Sequence, residues 1–137
     1  MYNFSVVSES RLKKLHPVLV LMLRKGLEKS KIDFGVSETH RSLEKQKKLM
    51  SEGKTKTMNS KHLQFPSHAV DIFVANGYTF DFNHLCYLAG IFEVTFLEAC
   101  EELNIEAKLR WGGNWDGDGV LIKDQKFQDI VHFEVIF

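Results

Sequence analysis

From Ser8 to Ser30 the apolar positions Leu12, Leu15, Leu19, Met22, Leu23 and Leu27 recur at close to the helical repeat, with Arg11, Lys14, Lys25 and Glu28 between them. The spacing predicts a helix over most of this stretch. Pro17 belongs in the first turn of its main piece, where a missing N–H and a fixed φ are tolerated. Phe34 to Thr39 alternates like a short strand. Ser42 is placed to cap a second helix over residues 43–51, whose end Gly53 marks. A polar loop, residues 54–61, leads to a strand from His68 to Val74, with Ala69, Asp71 and Phe73 on one face and Val70, Ile72 and Val74 on the other. One carboxylate thus stands in an otherwise apolar strand. Asn76-Gly77 predicts a turn, and Asn83 a cap for a long helix through Leu103 whose Leu85, Leu88, Ile91, Phe92, Phe96 and Cys100 face the core. Lys108 to Trp111 reads as a strand, residues 112–119 as a Gly/Asn/Asp-rich loop, and Val131 to Phe137 as a closing strand with His132, Glu134 and Ile136 on one face. The order predicts one α+β domain over residues 1–137, with helices packed on a small, mainly antiparallel sheet.

A chain of 137 residues suits one domain, and 44% hydrophobic with 26% charged residues excludes the signature of disorder. No run of 18 apolar residues exists, and the opening Met-Tyr-Asn-Phe-Ser lacks the basic start and apolar stretch of a secretory signal. The expectation is a cytoplasmic product with no stable membrane insertion. Cys86 and Cys100 lie in one helix-like segment and make neither a disulfide framework nor a CxxC pair, so buried reduced thiols are expected. The net charge of zero hides an asymmetry. Residues 1–61 hold 14 Lys and Arg against 6 Asp and Glu, a balance of +8, and residues 62–137 hold 4 against 12, a balance of −8. The basic half suits a polyanion, yet it carries no helix-turn-helix, zinc-finger or aromatic stacking motif, so nucleic acid is not expected as a partner.

His62, Asp71 and His132 stand out because two imidazoles and a carboxylate, with a fourth position for water, are the ligand set of a catalytic zinc site. The residues alone leave open a loop-capping Asp and hydrogen-bonded structural histidines. Asp129, three residues before His132, is either a carboxylate base held beside that metal or the opening of a strand. Arg41, just before a predicted helix, is either a surface cation or a guanidinium that stabilises charge on a carbonyl under attack. Ser60 either orients His62, meets substrate or is a loop hydroxyl. Trp111 and Trp115 are cleft walls or core. His16, His40, His68 and His84 have no motif partner and read as structural or exposed.

Asp33-Phe34-Gly35-Val36, Thr39-His40-Arg41-Ser42 with Gln46 following, Ser60-Lys61-His62, Ser67-His68-Ala69-Val70-Asp71-Ile72, Leu109 to Asp116 and Asp129 to Glu134 together span nearly the whole chain. This set resembles the zinc peptidases that include the D-Ala-D-Ala carboxypeptidases and dipeptidases, and the phage endolysins that cut L-alanyl-D-glutamate bonds in peptidoglycan. The resemblance implies a Hedgehog/DD-peptidase-like fold. It makes His62, Asp71 and His132 the zinc ligands, Asp129 the general base and Arg41 the cation at the substrate carbonyl; Ser60 and Trp111 are the candidates for substrate contact from their positions alone. Two departures stand out. Asp71 lies nine positions after His62, with Phe65-Pro66 adding length and Ser67 where the shorter family form has Gly. The base is Asp, as in phage-type relatives, where the dipeptidases use Glu, and this favours the endolysin branch.

The implied function is a phage or prophage endolysin that hydrolyses the peptide stem of bacterial peptidoglycan. It would act as a monomer and stay in the host cytoplasm until a holin opens the membrane. The alternatives are a D-alanyl-D-alanine carboxypeptidase or dipeptidase, for which no basic residue stands out to take a terminal carboxylate, and a catalytically silent metal-binding module on the same fold. Retention of Asp129 and Arg41 argues against the silent module. Separately, Asn114, Asp116 and Asp118 alternate ahead of Gly119 like the opening of a calcium loop, although the twelfth position is Gln125 and Asp124 falls one place early. Some phage endolysins of the resembling family have a calcium-responsive loop here, which makes Ca2+ a candidate second cation; the alternative is a turn that uses these residues for backbone reasons.

Overall fold

In the computed structural model, which describes residues 1–55, 57–119 and 129–137, the first helical stretch is two helices, α1 (Val6–Leu12) and α2 (Pro17–Lys29). Proline has no N–H to continue a helix, so Pro17 starts α2, and His16 caps it with Nδ1 accepting the Val18 N–H at 3.1 Å. Strand β1 (Phe34–Glu38) follows. Helix α3 (Leu43–Ser51) opens on Ser42, whose Oγ accepts the Lys45 N–H at 3.1 Å, and Gly53 at φ 70 lies just past its end. A single 3-10 turn, Lys61–Leu63, precedes β2 (Ala69–Val74).

Helix α4 (Phe82–Leu103) begins earlier than its expected cap. Asp81, not Asn83, is the N-cap: its backbone is extended and its Oδ2 accepts the His84 N–H at 3.0 Å, while Asn83 already lies in the first turn. Strand β3 (Lys108–Gly112) leads to the loop, and β4 (Asp129–Ile136) starts two residues before the expected Val131 because Asp129 pairs with Gly112 across a register shift.

The sheet runs β1-β2-β4-β3 and every neighbouring pair is antiparallel. Its apolar face carries Val36, Val70, Ile72, Phe133 and Val135, all buried against α2 and α4. The Phe92 ring on α4 meets Phe34 and Phe133 edge-on, with centroids 5.3 and 5.0 Å away. Each such fully buried side chain stabilises the fold by about 1.5–3 kcal/mol. A Cβ on Gly26 would lie 2.7 Å from the Phe92 ring, so glycine is what lets α2 come this close to α4. Helix α3 stands apart from that layer, and its Lys45 and Leu49 line a cavity over the opposite face. Cys86 and Cys100 are free and only partly buried, and burial raises both thiols above their ordinary pKa. Among the described residues no helix is long and apolar enough to cross a membrane.

Candidate metal and active site

The open face of the sheet is where the polar members of β2 and β4 meet. Asp71 and His132 are direct cross-strand partners, and His132 Nδ1 lies 3.0 Å from Asp71 Oδ1. His62 arrives from the 3-10 turn. Ser60 Oγ accepts its backbone N–H at 3.2 Å, and its carbonyl accepts the Arg41 N–H at 2.8 Å. Its Nε2 lies 3.2 Å from the same Asp71 Oδ1.

The outward partners of the two rings fix their tautomers. A backbone carbonyl can only accept, so His62 Nδ1 carries the hydrogen given to Thr39 O at 2.6 Å. The Glu134 carboxylate likewise accepts from His132 Nε2 at 2.8 Å. What remains on each neutral ring is a lone pair aimed at a carboxylate oxygen. His62, Asp71 and His132 offer donor atoms all within 4.8 Å of one another. Three acceptors facing one point repel unless a cation sits among them, and two imidazoles with one carboxylate suit a metal ion, leaving a coordination position open. Ser67, in the place of the family Gly, is fully buried, with Oγ 2.9 Å from the Thr39 carbonyl that orients His62 and 2.7 Å from Ala69 O.

The titration of these groups follows from the same geometry. Burial works to raise the Asp71 carboxyl, but without a cation the ring nitrogens of His132 and His62 that face it serve as hydrogen-bond donors, and these bonds hold it well below the usual carboxylate range. Burial works to lower His132, but its bonds to Asp71 and Glu134 push it up to about 9. A proton takes the cation's place when no metal is there. Asp129 lies beside this cluster, with Oδ2 3.9 Å from His132 Nδ1. Burial first, then the Asp71 charge, push its carboxyl up to about 6 against the pull of His132, His62 and Arg41. A carboxyl titrating there is suited to exchange a proton near neutral pH.

Arg41 lines the same cavity, of about 890 Å3, and is held from two sides. Its Nε donates to Glu38 Oε1 at 2.9 Å, its Nη2 bonds the same oxygen, and its Nη1 donates to Gln46 Oε1 at 2.7 Å. Gln46 is fully buried and donates to Thr57 O at 2.5 Å, which ties α3 to the loop before His62. Burial works to raise Glu38, but hydrogen bonds from Arg41 and Lys45 hold it below its ordinary range. Three of the five guanidinium N–H groups of Arg41 are used in this way, and among the described residues the other two have no acceptor.

Ser60 lines the cavity and caps the turn that carries His62. Trp111 lies on the core face of β3, stacked on Phe133 with its Nε1 donating to Ile130 O at 2.7 Å, whereas Trp115 lines the cavity, 5.4 Å from the His132 ring. In the loop, Asn114 Oδ1 accepts the Gly119 N–H at 3.3 Å and Asp116 Oδ1 accepts the Asp118 N–H at 3.2 Å. Those oxygens brace the turn, and Asp124 and Gln125, the proposed far end of a calcium loop, fall outside the described residues. His16 caps α2, His40 meets Gln64 O at 3.1 Å, His68 packs on Phe137, and His84 stacks on Tyr78. Glu134, Glu38 and Thr39 were not singled out by the sequence. The shared strand face of His132 and Glu134 was the signal for the first; the other two required the tertiary structure.

Sheet, cleft and donor set together define a class, the α+β hydrolases whose site is arranged to hold a metal ion. Within it, a family model described as phage L-alanyl-D-glutamate peptidase matches residues 1–136, and the chain belongs to that family. Among solved structures it is similar to the Serratia marcescens L-Ala D-Glu endopeptidase ChiX, at 28% identity and a TM-score of 0.71 over 98% of this chain and 91% of that one. No curated protein sequence matches it.

Proposed function

We propose that the chain is a zinc-dependent endolysin domain, residues 1–137, that hydrolyses the L-alanyl-D-glutamate bond in the peptide stem of bacterial peptidoglycan. The observation that carries this is the convergence of His62 Nε2, Asp71 Oδ1 and His132 Nδ1, each ring locked in the tautomer that leaves a lone pair inward, with Asp129 alongside. Zinc held by these three residues supplies Lewis acidity towards the scissile carbonyl and water. Asp129 takes the proton from the attacking water and passes it to the leaving amine. The two unused N–H groups of Arg41 receive the carbonyl oxygen as it gains charge, and their anchorage on Glu38 and Gln46 means little reorganisation as the reaction proceeds. Ser60 keeps His62 in register, and Trp115 walls the cleft. Release completes the reading: a monomer made in the host cytoplasm reaches the wall when a holin opens the membrane.

The direct test is Asp129→Ala. The variant retains zinc and loses turnover on isolated peptidoglycan by about a hundredfold or more. Wild-type turnover in that variant contradicts the role given to Asp129.

A further inference from the structure

A glutamyl residue inside a peptide uses its amino group and one carboxyl in the chain and keeps the other carboxyl free. A peptidase for an alanyl-glutamate bond therefore meets an anion on the amine side of the bond it cuts. Five cations among the described residues line the cavity: Arg41, Lys45, Lys54, Lys61 and Arg110. Arg41 and Lys45 share Glu38, and Lys54 is a largely exposed chain on a loop.

Arg110 is a fixed guanidinium outside that Glu38 cluster, and unlike Arg41 it has no part at the scissile carbonyl. Its Nη2 donates to Glu134 Oε2 at 2.9 Å, and its guanidinium carbon stands 5.1 Å from the centre of the Trp115 ring. Its side chain is still 42% exposed, and among the described residues none of its other N–H groups has an acceptor. A planar fork already stacked and paired loses little freedom when it binds a carboxylate.

Its position matches the chemistry. The sheet order β1-β2-β4-β3 sets the donors of β2 and β4 between Arg41, which follows β1, and Arg110 on β3 at the opposite edge. Asp129 pairs with Gly112, two residues from Arg110 and roughly 7 Å along the strand. The amine that receives the Asp129 proton thus leaves towards β3, and a carboxylate borne by the same residue is carried towards Arg110. We propose that Arg110 is a specificity residue that binds the free carboxylate of the glutamyl residue on the leaving side of the scissile bond. This rests on the endopeptidase reading above.

The test compares two synthetic stem peptides containing the L-Ala-D-Glu bond, one with the glutamyl carboxyl free and one with it converted to the amide. Each is measured with the zinc-loaded full chain and with R110Q and R110K, alongside zinc content. Binding is read by calorimetry in an Asp129→Ala background. The wild type prefers the free carboxylate by about tenfold to a hundredfold in kcat/KM, mainly through KM, as expected for a hydrogen-bonded charge pair. R110Q brings the two peptides to within about threefold of each other, and R110K restores part of the preference. A preference unchanged in R110Q overturns the proposal. So does an equal loss on both peptides with loss of zinc, which would make Arg110 only the support of Glu134. If the wild type cuts neither peptide, the endopeptidase reading fails and binding decides the subsite. A calorimetric preference for the free carboxylate that disappears in R110Q supports it, and equal binding of both peptides overturns it.

Discussion

At His132 the nitrogen facing Asp71 keeps its lone pair because Glu134 accepts the hydrogen of the other nitrogen, and at His62 the Thr39 carbonyl does the same from the backbone. Only the first support can be removed by substitution. Glu134→Ala is predicted to weaken zinc binding about 10–100-fold in competition with a chromophoric chelator, and an unchanged affinity contradicts the tautomer argument. The same contacts set a pH dependence in the metal-free protein. His132 titrates near 9 in the folded state, above its ordinary value, so its pairing contributes stability that is complete below about pH 6.5 and lost as pH rises through 9. Asp129, raised to about 6, acts with the same sign at lower pH, whereas the depressed Asp71 contributes stability above the ordinary carboxylate range that is lost only in acid. The melting temperature of metal-free protein should therefore fall between pH 7 and 10, with His132→Gln flattening the slope; a flat wild-type profile contradicts this. At this scale the sequence spelled out the donors, Asp129 and Arg41 in its motif blocks. It did not separate Trp111 from Trp115: Trp111 pairs with Phe133 and shares its core face, whereas Trp115, in the loop past β3, lines the cleft, and neither partner is visible locally.

Among the elements, helix periodicity located α2 and α4, since an apolar stripe at the helical repeat must be buried whatever the topology, while α3 was marked by its Ser42 cap and the Gly53 stop. Boundaries were less legible. Asp81 and Asn83 are equally good capping types two residues apart, and only the backbone conformation at Asp81 decides between them. The start of β4 depended on a partner, Gly112, that local sequence does not reveal. That contact is close: a Cβ on Gly112 would lie 1.9 Å from the Asp129 carbonyl oxygen. Gly112→Ala must push β3 from the opening of β4 and is predicted to destabilise the fold by at least about 2 kcal/mol, with loss of turnover as Asp129 shifts. Denaturant unfolding together with peptide hydrolysis checks it, and a variant with wild-type stability and rate would show that the two strands tolerate separation there.

For the whole molecule, the α+β class followed from the order of elements, but the strand order did not, and the order is what makes the site. Placing β4 between β2 and β3 sets His132 opposite Asp71, 61 residues earlier, and sets Glu134 opposite Arg110. The opposed charges of the two halves of the chain acquire a spatial meaning. The basic half supplies Arg41, Lys45, Lys54 and Lys61 to the cavity wall, and the acidic half supplies Asp71, Asp129 and Glu134 to its floor, where a dication would offset them. The resulting cleft suits an anionic peptide lying over a metal. The most direct measurement is digestion of purified peptidoglycan by zinc-loaded and chelator-stripped protein, with mass spectrometry of the new termini. Fragments that end in L-alanine and begin with D-glutamate are expected, absent after chelation and restored by zinc. Digestion that survives complete metal removal, or none by the zinc-loaded protein, would contradict it.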